Sequence, residues 1–124
     1  MKHKTVVYIS GPITNDPDHM HKFSEAEKWI KENLGCEVIN PAVEVPKVLK
    51  NHFKITEPTH ADFMLASIYL MTRQANTSVC FLKGWEKSAG CSGEMYVTNI
   101  TGMKYFYFDE MRGSYETYQN SKVQ

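Results

Sequence analysis

The chain has 124 residues, enough for one domain with one core, and its Lys plus Arg equal its Asp plus Glu, so the formal charge is zero. No basic block indicates a nucleic-acid groove, and three cysteines without a CxxC pair indicate neither a zinc site nor a redox motif. Met-Lys-His-Lys at the start runs into a short apolar stretch that suits neither a signal peptide nor a membrane span, so a cytoplasmic protein is the default expectation.

Thr5-Val-Val-Tyr-Ile-Ser10 is β-branched and apolar, and predicts a central strand buried on both faces. Gly11-Pro12-Ile13 ends it and makes a small-residue loop at the carboxyl end of a strand. Asn15 to Asp18 are turn and cap formers. A helix follows from His19 to Leu34, with Met20, Phe23, Ala26, Trp29, Ile30 and Leu34 on one side, and Gly35 stops it. Cys36 to Asn40 reads as a second strand closed by Pro41. Residues 41–58 are expected to hold a short helix around Lys47–Phe53 and to act as a flap or a subunit contact. Thr59 caps a helix from His60 to about Thr72 that is apolar on more than one side. The third strand runs from Ser78 to Leu82, and the next helix ends at Gly102. Met103 to Phe108 is the fourth strand. The polar, tyrosine-rich tail (109–124) forms a short helix or lies across a neighbour, and only the extreme termini are expected to be loose.

This order predicts one α/β domain over residues 1–124, with its core in 5–108. The fold expected is three-layered and Rossmann/flavodoxin-like: a parallel sheet of four to five strands, helices on both faces and strand 1 central. The loops after strands 1 and 3 would flank the point where strand order reverses, which is where such sheets bind ligands.

The run from Cys80 to Glu94 is strand, tight loop, then helix. Its small residues (Gly84, Ala89, Gly90, Cys91, Ser92, Gly93) let a ligand approach the backbone, and a helix start favours a bound anion. Glu94, in the first turns of that helix, is stabilised by the dipole or attacks an electrophilic sugar carbon. Such chemistry wants a second acid, for which Asp62, Asp16 and Glu86 are the candidates. Tyr8 either holds Glu94 through its hydroxyl or packs in the core. Trp85 either stacks on a base or packs on its own domain. His60 reads as a surface residue rather than a general acid. His19 and His21 are two apart and would not share a helix face, so they make a poor metal pair; no metal or other cofactor is expected.

Val7-Tyr-Ile-Ser-Gly-Pro-Ile13 with the amphipathic helix after it, Glu37-Val-Ile-Asn-Pro41, and Leu82-x-Gly-Trp-Glu-x-Ser88 with Gly90 and Glu94 occur together. The combination resembles the nucleoside 2-deoxyribosyltransferase-like superfamily over roughly residues 5–108, and within it a branch of small phage and bacterial proteins of unknown function. The better-characterised relatives include 2'-deoxynucleoside 5'-monophosphate N-glycosidases. The resemblance implies an N-glycosidase or deoxyribosyltransferase-like enzyme acting on a (deoxy)nucleoside 5'-monophosphate. It implies Glu94 as nucleophile on C1', Tyr8 as its partner and Asp62 as a sugar-binding or acid residue. Ser88 and Gly90 match phosphate contacts, and Gly11 and Ile13, with Pro12 between them, match the first phosphate-side loop. The relatives are dimers or larger, so a homo-oligomer is implied, with a small nucleotide rather than nucleic acid as ligand. The family usually has an aspartate at the start of strand 3, where this chain has Asn76 or Thr77. The alternative that this departure motivates is a protein that senses or sequesters a nucleotide without turning it over.

Overall fold

The structure, a computed structural model, describes residues 5–123. Expectations for the extreme termini lie largely outside those residues. Strand β1 (Val6–Ser10) leads to helix α1 (His19–Leu34), strand β2 (Glu37–Ile39) and helix α2 (Pro41–Lys47), which continues into a wide π turn over Val48–His52. Helix α3 (His60–Thr72), strand β3 (Thr77–Phe81), helix α4 (Ala89–Thr101), strand β4 (Tyr105–Tyr107) and helix α5 (Phe108–Val123) complete the chain. The four strands form one parallel sheet in the order β2-β1-β3-β4, a Rossmann/flavodoxin-like arrangement with β1 and β3 inside.

All five residues of β1 are buried, which explains the continuous apolar run. Alternation along the strand sends Val7 and Ile9 to one face, where α1 supplies Phe23, Ala26 and Ile30. Val6 and Tyr8 turn to the other face, covered by Val45 of α2, by Ala66, Leu70 and Met71 of α3, and by Met95 and Val97 of α4. Two hydrophobic layers therefore sandwich the sheet. The strand order reverses between β1 and β3, whose carboxyl ends pair as Ser10 with Phe81.

Three expectations need correction. The segment after β2 is helical from Pro41, not from Lys47. The Asn40 side chain accepts the Ala42 N–H at 3.0 Å, and Pro41 sits at the first helical position, where its missing N–H costs nothing. The pair that closes β2 thus also opens α2. The tail is a sixteen-residue helix, α5, and Phe108 is its first residue rather than the end of a strand. It returns to α1: Trp29 meets Phe108 and Tyr115 edge-on at 5.8 and 5.4 Å, and Arg112 donates to Glu25 at 3.0 Å. The third strand begins and ends one residue earlier than its apolar run suggests.

Candidate functional site

A cavity of about 300 Å³ opens at the carboxyl ends of β1 and β3. Its floor comes from β1 and the start of α4, through Tyr8, Ser88, Gly90, Cys91 and Glu94. One wall is the loop after β1, with Gly11, Ile13, Thr14 and then His19. The other is mostly apolar, with Pro41, Val45 and Pro46 from α2 and Phe63 and Met64 from α3.

Glu94 lies on its floor. Cys91, Glu94 and Thr98 are the buried residues of α4, and their three- and four-residue spacing puts them on one helix face, turned to the sheet. Glu94 is 6% exposed. Each carboxylate oxygen accepts a short hydrogen bond from β1, from the Tyr8 hydroxyl at 2.6 Å and from the Ser10 hydroxyl at 2.7 Å. Residues 8 and 10 project to the same strand face, which is why one carboxylate takes both. Burial pushes the Glu94 carboxyl above its ordinary range, and the two hydroxyls pull the other way. Burial also raises the Tyr8 hydroxyl well above its usual value, and the Glu94 charge adds to this. Tyr8 is therefore a fixed donor. Ser67 of α3, on the cavity wall, faces the same phenol.

The start of α4 supplies a second kind of polar group. Ser88 caps the helix, its hydroxyl accepting from Cys91 N–H at 3.3 Å. Among the described residues, the Ala89 and Gly90 amides, first and second in the helix, have no intramolecular acceptor. A Cβ added at Gly90 would make ordinary contact with the Met64 sulfur at 3.6 Å. Glycine at 11 has a packing reason instead: a Cβ there would meet Leu82 at 2.9 Å and Phe23 at 3.0 Å. Among the described residues, no Lys or Arg lines the cavity, and no three His, Cys, Asp or Glu are grouped to hold a metal ion.

Of the residues that the sequence singles out, Glu94, Tyr8, Ser88, Gly90, Gly11 and Ile13 come together around this cavity. Asp62, Pro12 and Trp85 do not line it. Asp62 is committed to a capping box: its carboxylate accepts from Thr59 N–H at 2.8 Å, and its own N–H donates to the Thr59 hydroxyl at 3.2 Å. Pro12 lies against Gly84, beside the loop after β3. Trp85 packs on Phe81 and stacks on Tyr107, with ring centres 5.0 and 6.1 Å away. Asp16 and Glu86 also lie off the cavity lining. Asp16 pairs with Lys22 at 2.9 Å, which holds its carboxyl below the usual range. His60 is exposed in the first turn of α3, as expected, and also borders the cavity, as His19 does. Asn76 and Thr77 lie at the amino end of β3, the opposite end of the strand from the cavity, where they line a separate hollow.

Ser10 escaped the sequence reading although period-two alternation from Tyr8 points to it. Ser67 and the α2 wall had no such signal, because their place depends on how helices pack over the sheet.

No curated protein and no solved structure matches the chain. Among the described residues no helix is long and apolar enough to cross a membrane. One family profile matches residues 5–107, from the residue before β1 to the end of β4. The chain belongs to that family, described as a domain of unknown function (DUF4406).

Proposed function

We propose that the protein cleaves the N-glycosidic bond of a nucleoside 5'-monophosphate, with Glu94 as the nucleophile. The observation that carries this reading is a buried carboxylate with both oxygens held by hydroxyls, facing a cavity beside a helix start. The two hydrogen bonds fix the carboxylate's direction and favour its charged form, which attack on C1' requires. The Gly90 amide, unpartnered among the described residues, and the Ser88 hydroxyl, both at the cavity, suit the phosphate. With no Lys or Arg among the described residues on the lining, one phosphate fits better than a di- or triphosphate. Phe63, which is aromatic and partly open to the cavity, takes the base-facing role first considered for Trp85. The resemblance to the nucleoside 2-deoxyribosyltransferase-like superfamily points to the same reaction.

The test is to incubate the protein with the common ribo- and deoxyribonucleoside 5'-monophosphates and follow free base by chromatography. The expected result is base release from at least one nucleotide, abolished in Glu94→Gln. Release that persists in Glu94→Gln removes the mechanism.

A second reading, a protein that holds a nucleotide without turnover, is favoured by one observation. None of the carboxylic acids considered as a second acid lines the cavity. It predicts tight binding with the ligand unchanged after long incubation. On either reading we propose a dimer or larger assembly, because α3 leaves Phe63 and Leu65 exposed and α4 leaves Tyr96 and Ile100 exposed. Sedimentation as a monomer at high concentration would exclude it.

A further inference from the structure

Departure of a base from a sugar carbon leaves an electron pair on nitrogen, and an acid placed to donate a proton speeds that step. In this subunit the acid is not a second carboxyl, since Asp62 is closed into its cap and Asp16 is paired with Lys22. Tyr8 is committed to Glu94. Cys91 is buried beside the Ser10 and Ser88 hydroxyls. Among the described residues, the titratable side chains left on the lining are His19 and His60.

Building on the base-release reading, we propose that His19 is the acid, donating from Nε2 to the departing base. His19 is the first residue of α1, delivered by the loop that leaves β1 just after Ser10. Its Nδ1 lies 2.9 Å from the Asp16 carbonyl oxygen. A carbonyl can only accept, so Nδ1 carries a hydrogen and Nε2 is the nitrogen free for chemistry. The ring also meets Phe23 edge-on, with centroids 6.4 Å apart, and Phe23 is fully buried. Two contacts therefore orient His19 on the cavity wall. His60 is exposed at the start of α3, and no hydrogen bond to its ring exists among the described residues.

The step balances. A Glu94 oxygen forms a bond to C1' as the C1'–N bond breaks, its electron pair passes to the base, and the Nε2 proton of the imidazolium joins it. Neutral His19 then takes a proton from water as that water attacks C1' and the bond to Glu94 breaks. The net reaction is hydrolysis, with both residues restored.

The experiment compares two leaving groups on the full-length protein. One is the nucleobase of whichever nucleoside 5'-monophosphate the wild type cleaves. The other is 4-nitrophenolate, on 4-nitrophenyl ribofuranoside 5-phosphate, which departs as a stable anion and needs no proton. In His19→Gln, kcat for base release is expected to fall by about 10²- to 10⁴-fold, with nitrophenolate release falling less than about tenfold. His19→Asn serves as a second variant should the first melt early. Equal losses on both substrates, or no loss on the nucleobase, overturn the assignment. A selective loss in His60→Gln instead of His19→Gln also overturns it. A wild type that cleaves neither glycoside overturns the base-release reading, and this assignment with it.

Discussion

Helices α3 and α4 begin alike and end up with different work. Each has thirteen residues, a hydroxyl residue at its cap (Thr59 or Ser88) and an acidic residue soon after. In α3 the acid is the third helical residue, so its carboxylate reaches back to the Thr59 N–H and closes the cap. In α4 the third residue is Cys91, and the acid comes three residues later, on the face turned to the sheet. There it is too far along to cap anything and meets Tyr8 and Ser10 instead. Three residues of spacing separate a carboxylate that caps its own helix from one held by two strand hydroxyls on a cavity. The first arrangement uses its carboxylate locally, in the cap. The second leaves its carboxylate on a cavity that Ser88 and Gly90 also line.

The largest expected effect is at the second of these helix starts. Glu94→Gln keeps the shape and removes the proposed nucleophile, and kcat for base release should fall by about 10³-fold or more. Circular dichroism should show the fold retained. An activity within tenfold of wild type would place Glu94 on the same footing as Asp62.

Next come the two hydroxyls. Tyr8→Phe should lower kcat by about 10²-fold, since it removes one donor aimed at the carboxylate proposed to react. Its pH dependence carries a sign. On the proposed mechanism Glu94 must be ionised to attack, and burial already holds its pKa above the ordinary range, so activity should fade on the acid side earlier than for an ordinary Glu. The Tyr8 hydroxyl pulls that pKa down, so removing it should move the acid limb of the pH–rate profile to higher pH. Ser10→Ala should shift the limb in the same direction. An unmoved limb in both variants would show that these bonds do not tune the carboxylate.

The architecture was legible because hydrophobic period and helix punctuation are local. Tyr8 with Glu94 was legible as a pair because a strand end and a helix start meet where the sheet order reverses. The place of Asp62 has a local reason as well: Thr59-His-Ala-Asp62 has the spacing of a capping box, and its carboxylate closes that box. Which of its two readings Trp85 follows, packing on its own domain, and the place of His19 were not decided by pattern. Trp85 is drawn to Tyr107 on β4, and His19 is turned to the cavity by a loop whose path depends on the Asp16 contacts. Residues whose partners are distant in sequence cannot be placed by pattern alone.

At the α3 start the effect should appear in stability rather than activity. Asp62→Ala opens the capping box and should cost about 1 kcal/mol, within the range for a lost cap. For a chain of this size that lowers Tm by about 4 °C. The value of kcat should stay within about twofold, because the Asp62 side chain does not line the cavity. A large loss of kcat with Tm unchanged would reverse the assignment of the two helix starts.

The smallest effect tests whether Glu94 is held at the fold's expense. Its folded-state pKa lies above the unfolded value, so the folded chain binds the proton more readily than the unfolded one. Below the unfolded pKa both states are protonated and nothing is lost. As pH rises from there to the folded pKa, the unfolded state ionises first, and stability falls by the amount that burial of the charge outweighs the two hydroxyl bonds. Glu94→Gln carries no charge to bury. It should therefore melt at least as high as wild type near pH 8, by up to about 1 kcal/mol in stability, and the advantage should shrink as pH drops into the ordinary carboxylate range. Asp62→Asn gives the contrast, since its carboxylate is a working cap and its loss should lower Tm near neutral pH. If Glu94→Gln is instead the less stable at pH 8, the Tyr8 and Ser10 bonds outweigh burial, and the two helix starts differ in position but not in kind.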